Sequence, residues 1–249
     1  LPISAPSAGA VQTDRMTVED TVFKTLGLFA VLVVTAVVGW IWTMSSVTVA
    51  NPSPNVLPMV IGGLVGFVLA MVATFKRKPS VPVIIAYAAF EGLFIGGISA
   101  FFEFIYPGIV VQATLATLSV VGVTLALFAS GKIRASARAT KIFLIAMVGY
   151  GVFALLNLGL MLFNVPIAGG AFGLYSLKVA GIPLGVIIGV LVVIMAAYSL
   201  VLDFDQIQRG VRNGAPRVYG WVGAFGIMVT VVWLYVEILR LLAILRGNN

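Results

Sequence analysis

Neither cysteine nor histidine occurs among the 249 residues. Without cysteine there can be no disulfide framework and no thiolate metal site. Without histidine the commonest general base and metal ligand is missing, which excludes serine–histidine hydrolysis, histidine zinc sites and haem held by histidine. Charge is scarce too: 15 basic and 8 acidic side chains make up 9% of the chain, against roughly 25% in a soluble domain. With 61% of its residues hydrophobic, a soluble fold of this length could not cover its surface with so few ionisable groups. Lipid removes that difficulty, because it is as apolar as the side chains that face it. The surplus of basic residues, +7 overall, falls in short clusters between apolar segments. That pattern sets membrane topology, and it gives no phosphate-tracking face that would bring a nucleic acid as partner.

What is present is a run of apolar segments, each near the ~20 residues that cross ~30 Å of hydrocarbon. They fall at 25–45, 56–75, 82–106, 109–130, 141–163, 182–207 and 222–246. Breakers separate them, among them Asn51 to Pro54, Lys76 to Pro79, Tyr106 to Gly108, Pro166 to Gly181 and Gly210 to Arg217. The spacing predicts an all-α integral membrane protein, a seven-transmembrane-helix bundle over 23–249. The small, polar, proline-containing start predicts a mobile N-terminal tail over 1–22. The missing initiating Met predicts processing or trimming, and no signal peptide with a basic start is visible. Glycines at 62, 63 and 66, at 92, 96 and 97, and at 181, 185 and 189 predict close helix approaches.

Orientation follows from the basic residues. Arg15, Lys24, Lys76, Arg77, Lys78, Lys132, Arg134, Arg138, Lys141, Arg209, Arg212 and Arg217 share one side of a seven-span layout. Lys178 and Arg246 fall on the other side, and Arg240 falls inside the last span. The bias predicts a cytoplasmic N-terminus and a multi-pass protein of the bacterial plasma (inner) membrane.

A charge at membrane depth costs at least ~2.5–3.5 kcal/mol, so each one there needs a reason. Five acids lie in or at the end of spans: Glu91, Glu103, Asp203, Asp205 and Glu237. Glu103 reads as a solvated end position, while Glu91 lies near mid-membrane. Asp203 and Asp205 stand about 200° apart on a helix and cannot both line one site. Asp205 has Arg209 at i+4, a conventional helix pair. Glu237 has Arg240 at i+3, which could neutralise it. Two carboxylates from adjacent helices sharing a buried site cannot both ionise comfortably, so such a pair can hold one proton at mild acidity. Once ionised it offers the hard oxygens that Ca²⁺ takes. Asp203 and Glu237 meet only if residues 217–224 run along the interface and the last span begins near residue 225.

These residues carry a resemblance. Glu91-Gly92 in the third span, LDFDQI at the end of the sixth and LYVEILRLLAIL in the last resemble the Bax inhibitor (transmembrane BAX inhibitor motif) family in a bacterial form. The resemblance implies a central last helix and a calcium leak governed by pH. It implies that Asp203 and Glu237, a glutamate where the family has aspartate, are pH sensor and cation (metal) contact, with Glu91 a supporting acid. It also implies a basic latch at the end of span two, for which Lys76 and Arg77 are the candidates. Arg240, Asp205 and Arg209 are further candidates for latch or partner; the resemblance gives Arg240 no role, and it would weaken the site by neutralising Glu237.

The expected function is therefore a pH-sensitive calcium leak channel, with Ca²⁺ and protons passing, the lipid bilayer as its surroundings and no tightly bound cofactor. The alternative is a proton-coupled transporter of another cation or small solute, although no convincing internal repeat is visible. An enzyme is not expected: the last span lacks the lysine of a retinal protein, and no GxGD motif of an aspartyl intramembrane protease occurs. Monomer and homo-oligomer both remain open.

Overall fold

The computed structural model describes residues 14–166 and 172–247. Among the described residues seven helices are long and apolar enough to cross a membrane: α1 (Val18–Met44), α2 (Leu57–Phe75), α3 (Val81–Ile105), α4 (Ile109–Ala129), α5 (Ala137–Leu162), α6 (Leu184–Arg212) and α7 (Tyr219–Gly247). Each falls on one of the seven apolar segments. Pro58 and Pro82 stand in the first turns of α2 and α3, where a missing N–H costs nothing.

Two boundaries differ from the sequence expectation. Helix α1 begins at Val18, inside the segment expected as tail. Thr17 caps it, its Oγ1 accepting from Asp20 N–H at 3.1 Å, and Glu19 and Asp20 suit the positive end of the helix dipole. Ahead of it, Met16 N–H donates to Ala215 O at 2.8 Å and Arg217 N–H donates to Asp14 O at 3.2 Å, so this segment is paired backbone. Residues 1–13 of the expected tail lie outside the described residues. The second difference is at the last span. Residues 219–224 do not lie apart from it along the interface; they are the first turns of α7. Nothing from Tyr219 on breaks a helix, and Ala224 and Phe225 are core residues, so burial holds this stretch in α7.

The chain divides into two compact units. One takes the residues up to Val110 together with Asp203–Val232, the other Val111–Leu202 together with the residues from Trp233 on. Both α6 and α7 contribute to each. Half of the most apolar stretch of α7 is buried, the largest share among the seven helices.

In the first unit α1 and α2 pack on α3, and glycines set the approach. A Cβ at Gly92 or Gly96 would strike the backbone of α1 at Leu32 or Ala36, and one at Gly62 would strike that of Phe94. Lipid gives helices no hydrophobic reason to associate, so van der Waals contact of smooth backbones does that work. Leu28, Leu32, Ile84, Tyr87 and Ala88 then form one core with Ala224, Phe225, Met228 and Val232 of α7. Glu103 is not simply solvated. Its carboxylate accepts from Gly108 N–H at 2.6 Å and Val110 N–H at 3.0 Å, capping the start of α4.

In the second unit Gly189 seats Leu241, and Gly185 seats Ile244 together with Tyr175. The α5–α6 connection contains a 3-10 turn, Gly173–Ser176, and a small hairpin of β1 (Lys178–Val179) and β2 (Ile182–Pro183). Ala180 (φ 51°) and Gly181 (φ 84°) make its two-residue turn, both left-handed as such a hairpin requires. Gly181 therefore serves a turn and not a helix contact.

Two substitutions test this packing. Gly96→Leu should destabilise the protein by about 1–3 kcal/mol, read as a lower thermal midpoint in detergent, while Gly122→Ala, which meets nothing, should leave stability unchanged or slightly raised. Glu103→Ala should cost about 1 kcal/mol by removing the cap of α4, and Glu103→Gln less, because its amide oxygen still accepts.

Candidate functional site

In the first unit the last turns of α6 set out three side chains. Asp205 pairs with Arg209 at 2.8 Å, one turn along the same helix. Asp203, two residues earlier and facing elsewhere, accepts a hydrogen bond from Thr230 Oγ1 of α7 at 2.6 Å. Asp203 enters none of the ion pairs formed by the described residues. Glu91, on α3, is partly buried against the smooth face of α2. A Cβ at Gly66 would come within 2.6 Å of its Oε2, so the glycine is the notch that holds this carboxyl. Lys76 and Arg77 are exposed where α2 ends, and neither enters an ion pair among the described residues.

A charged clasp closes the same unit at the start of α1 and α7. Arg217 Nη2 reaches Asp20 at 2.7 Å, Lys24 also holds Asp20, and Lys24 Nζ donates to Arg217 O at 2.8 Å. The hydrogen bonds from Arg217 to Asp20 push the guanidinium pKa above the ordinary arginine value, so its charge is permanent.

The second unit holds a different arrangement. Glu237, 4% exposed, is surrounded by donors. Tyr150 O–H of α5 and Trp233 Nε1–H, one turn earlier on α7, both donate to Oε1, the latter at 3.3 Å. Arg240 donates to Oε2 and, at 3.2 Å, to the Tyr150 hydroxyl. The guanidinium lies over the ring of Tyr175, its Cζ 4.3 Å from the centroid. Glu237 thus has its countercharge one turn away, and its remaining lone pairs are taken by neutral donors. Among the described residues no group of three or more acidic side chains gathers as a resident metal site.

The structure brings together Glu237 with Arg240 and Asp205 with Arg209. It gives Asp203 and Glu237 separate partners, each within its own unit. Sequence reasoning missed Thr230, Tyr150, Trp233 and Tyr175. Trp233 was within reach of it, standing four residues before Glu237 on one helix face. Tyr150 and Tyr175 carried no such signal, because only the packing of α5 and the α5–α6 connection brings them to α7.

No curated protein matches the chain. A family model does, over residues 3–247, and its description is Bax inhibitor 1 like. This is a membrane-protein family, and the match points to a role of the channel or transporter type. With nearly the whole sequence matched and seven helices able to cross a membrane, the chain belongs to the Bax inhibitor 1 like family.

Proposed function

We propose that this protein is a pH-sensitive calcium leak channel of the bacterial inner membrane, its N-terminus cytoplasmic, controlled by protonation of the intramembrane carboxylate Asp203, with Glu237 as the cation contact. Family membership supports the channel class. The observation that carries the rest is the chemistry of the two carboxylates' partners. A hydroxyl both donates and accepts, so Thr230 can donate to Asp203 as a carboxylate and accept from it as a carboxylic acid. The helix contact therefore survives the gain or loss of a proton, which is what a reversible sensor needs. Glu237 differs. Arg240 cannot give up its proton, and it balances the carboxylate at all physiological pH values. In this reading Asp203 is the group whose charge changes, and Glu237 with Arg240 is a fixed polar site beside which a cation passes. Glu91 adds a third carboxyl within the membrane, and Lys76 or Arg77 supplies the latch that ion-pairs with ionised Asp203. No covalent chemistry is involved, and the protein is not an enzyme.

Calcium flux into vesicles containing the purified protein, measured between acid and alkaline pH, tests the sensor. Asp203→Asn imitates the protonated form, so its flux at neutral and alkaline pH should match the wild-type flux at acid pH, with the pH dependence flattened. An unaltered pH profile in this variant would refute the sensor role. Flux that requires an imposed proton gradient would favour the proton-coupled transporter instead.

Glu237 needs a paired design. Glu237→Gln alone leaves Arg240 as an uncompensated charge and should lose about 3–5 kcal/mol of stability. Joining Arg240→Gln to it should recover much of that loss, read as the thermal midpoints of the two variants. A single variant as stable as the wild type would show that Arg240 does not depend on Glu237.

A further inference from the structure

We propose that the α4–α5 loop and the exposed face of α5 beside it bind an anionic phospholipid. Lys132, Arg138 and Lys141 take its phosphate, and the apolar face of α5 takes its acyl chains.

Charge in the second unit is one-sided. Its residues include seven basic side chains and one acid, Glu237, which Arg240 already balances. Four of the seven, Lys132, Arg134, Arg138 and Lys141, fall within ten residues, and all four are exposed. None of them enters an ion pair among the described residues. Arg138 even stands in the first turn of α5, and that turn holds no acid. The positive end of a helix dipole favours acids and opposes cations, and α1, which starts with Glu19 and Asp20, follows that rule. A cluster that works against its own helix, with no countercharge in its unit, calls for an anion from outside the chain.

The loop is held in a defined shape by other groups. Gly131 leaves α4 with φ 78°, and Ile133 N–H donates to Leu127 O at 3.3 Å. Arg134 is occupied in this turn: its guanidinium donates to Phe128 O, and its Cζ lies 4.4 Å from the centroid of the Phe128 ring. Ser136 Oγ caps α5 by accepting from Ala139 N–H at 3.2 Å, and Thr140 Oγ1 meets the Tyr198 hydroxyl of α6 at 2.8 Å. Lys132, Arg138 and Lys141 take part in none of these contacts. They stand on a fixed backbone, which lowers the ordering cost of binding.

Below the cations the surface turns apolar. Arg138 and Lys141 head one face of α5, and Ile145, Val148, Gly149 and Val152 continue it at helical spacing, all exposed. A Cβ at Gly149 would meet nothing, so this part of the face is smooth and packs on no other helix. Of the seven helices, α5 has the smallest share of its apolar stretch buried. Phosphate at the head and hydrocarbon along the body describe a phospholipid, whereas a free phosphate would use the head alone. A second copy of the chain suits the face less well. Two copies side by side in one membrane would bring their basic loops to the same level, where like charges repel.

Binding of phosphatidylglycerol to the full chain in neutral detergent, against phosphatidylcholine with the same acyl chains, tests the site. The wild type should prefer phosphatidylglycerol by about tenfold or more. Each of Lys132→Gln, Arg138→Gln and Lys141→Gln should weaken that binding about fivefold, and the triple variant about a hundredfold, the ordinary strength of cations beside a membrane. Lys178→Gln, which removes an exposed basic residue of the same unit outside the loop, should leave it unchanged. Glycerol phosphate, a head without chains, should compete weakly. Equal binding of the two lipids would overturn the site, and so would a triple variant that binds as the wild type does. An equal loss in Lys178→Gln would overturn it by reducing the effect to net charge, and full competition by glycerol phosphate by making it a free-anion site. A lipid-free dimer that Gly149→Trp dissociates would overturn it by assigning the face to a second copy. None of these readouts involves calcium, so the lipid site stands or falls apart from the proposed leak.

Discussion

An ionised side chain in hydrocarbon must bring its own solvent, and the arrangement of this protein follows from how each acid does so. Glu103 uses two backbone N–H groups at the start of α4, Asp205 uses Arg209, Glu237 uses an arginine, a tyrosine and a tryptophan, and Asp203 uses a threonine hydroxyl. These solutions are not equivalent. A backbone N–H or a guanidinium favours the ionised state, because neither can accept a hydrogen bond from the protonated acid. A hydroxyl supports both. The same physical demand therefore separates acids whose partners suit one protonation state from one whose partner suits either.

Close backbone approach is the second constraint, and it serves the first. The glycines of α3 let α1 and α2 come near enough for contact along their lengths, and Gly66 uses the same device to accommodate the carboxyl of Glu91. Tight packing of this kind keeps a polar group and its partner in register with little entropy to lose. In the second unit Gly185 plays the corresponding part for Tyr175, and a loop residue gains a helix-lined seat. Polar chemistry within each unit thus stands on small residues that carry no chemistry themselves.

The two kinds of site suit complementary tasks. Asp203 and Thr230 form a contact whose hydroxyl can donate to a carboxylate or accept from a carboxylic acid. Glu237 and Arg240 form a buried contact in which the countercharge lies one helix turn away. In the proposed pH-sensitive leak the first would serve the sensor and the second the cation contact.

Much of this was legible along the chain. The seven helices, the placement of the acids within them, the Asp205–Arg209 pair and the nearness of Arg240 to Glu237 all follow from spacing, since helical periodicity makes neighbours of residues three and four apart. The start of α1 was written in the Thr17 cap and the acids after it, although the polar residues before it suggested a longer tail. The start of α7 was less legible, because Tyr219 to Ala224 suit an interface and a helix equally well, and burial of Ala224 and Phe225 decided between them. Composition and periodicity are local properties, so the sequence by itself determined a seven-span membrane protein with carboxylates at depth. Which partner each carboxylate meets depends on how helices are rotated and shifted against one another, on Thr230 facing Asp203 and on Tyr150 and Tyr175 reaching Glu237 and Arg240. That was decided by tertiary structure alone, because contacts between distant segments leave no spacing to read.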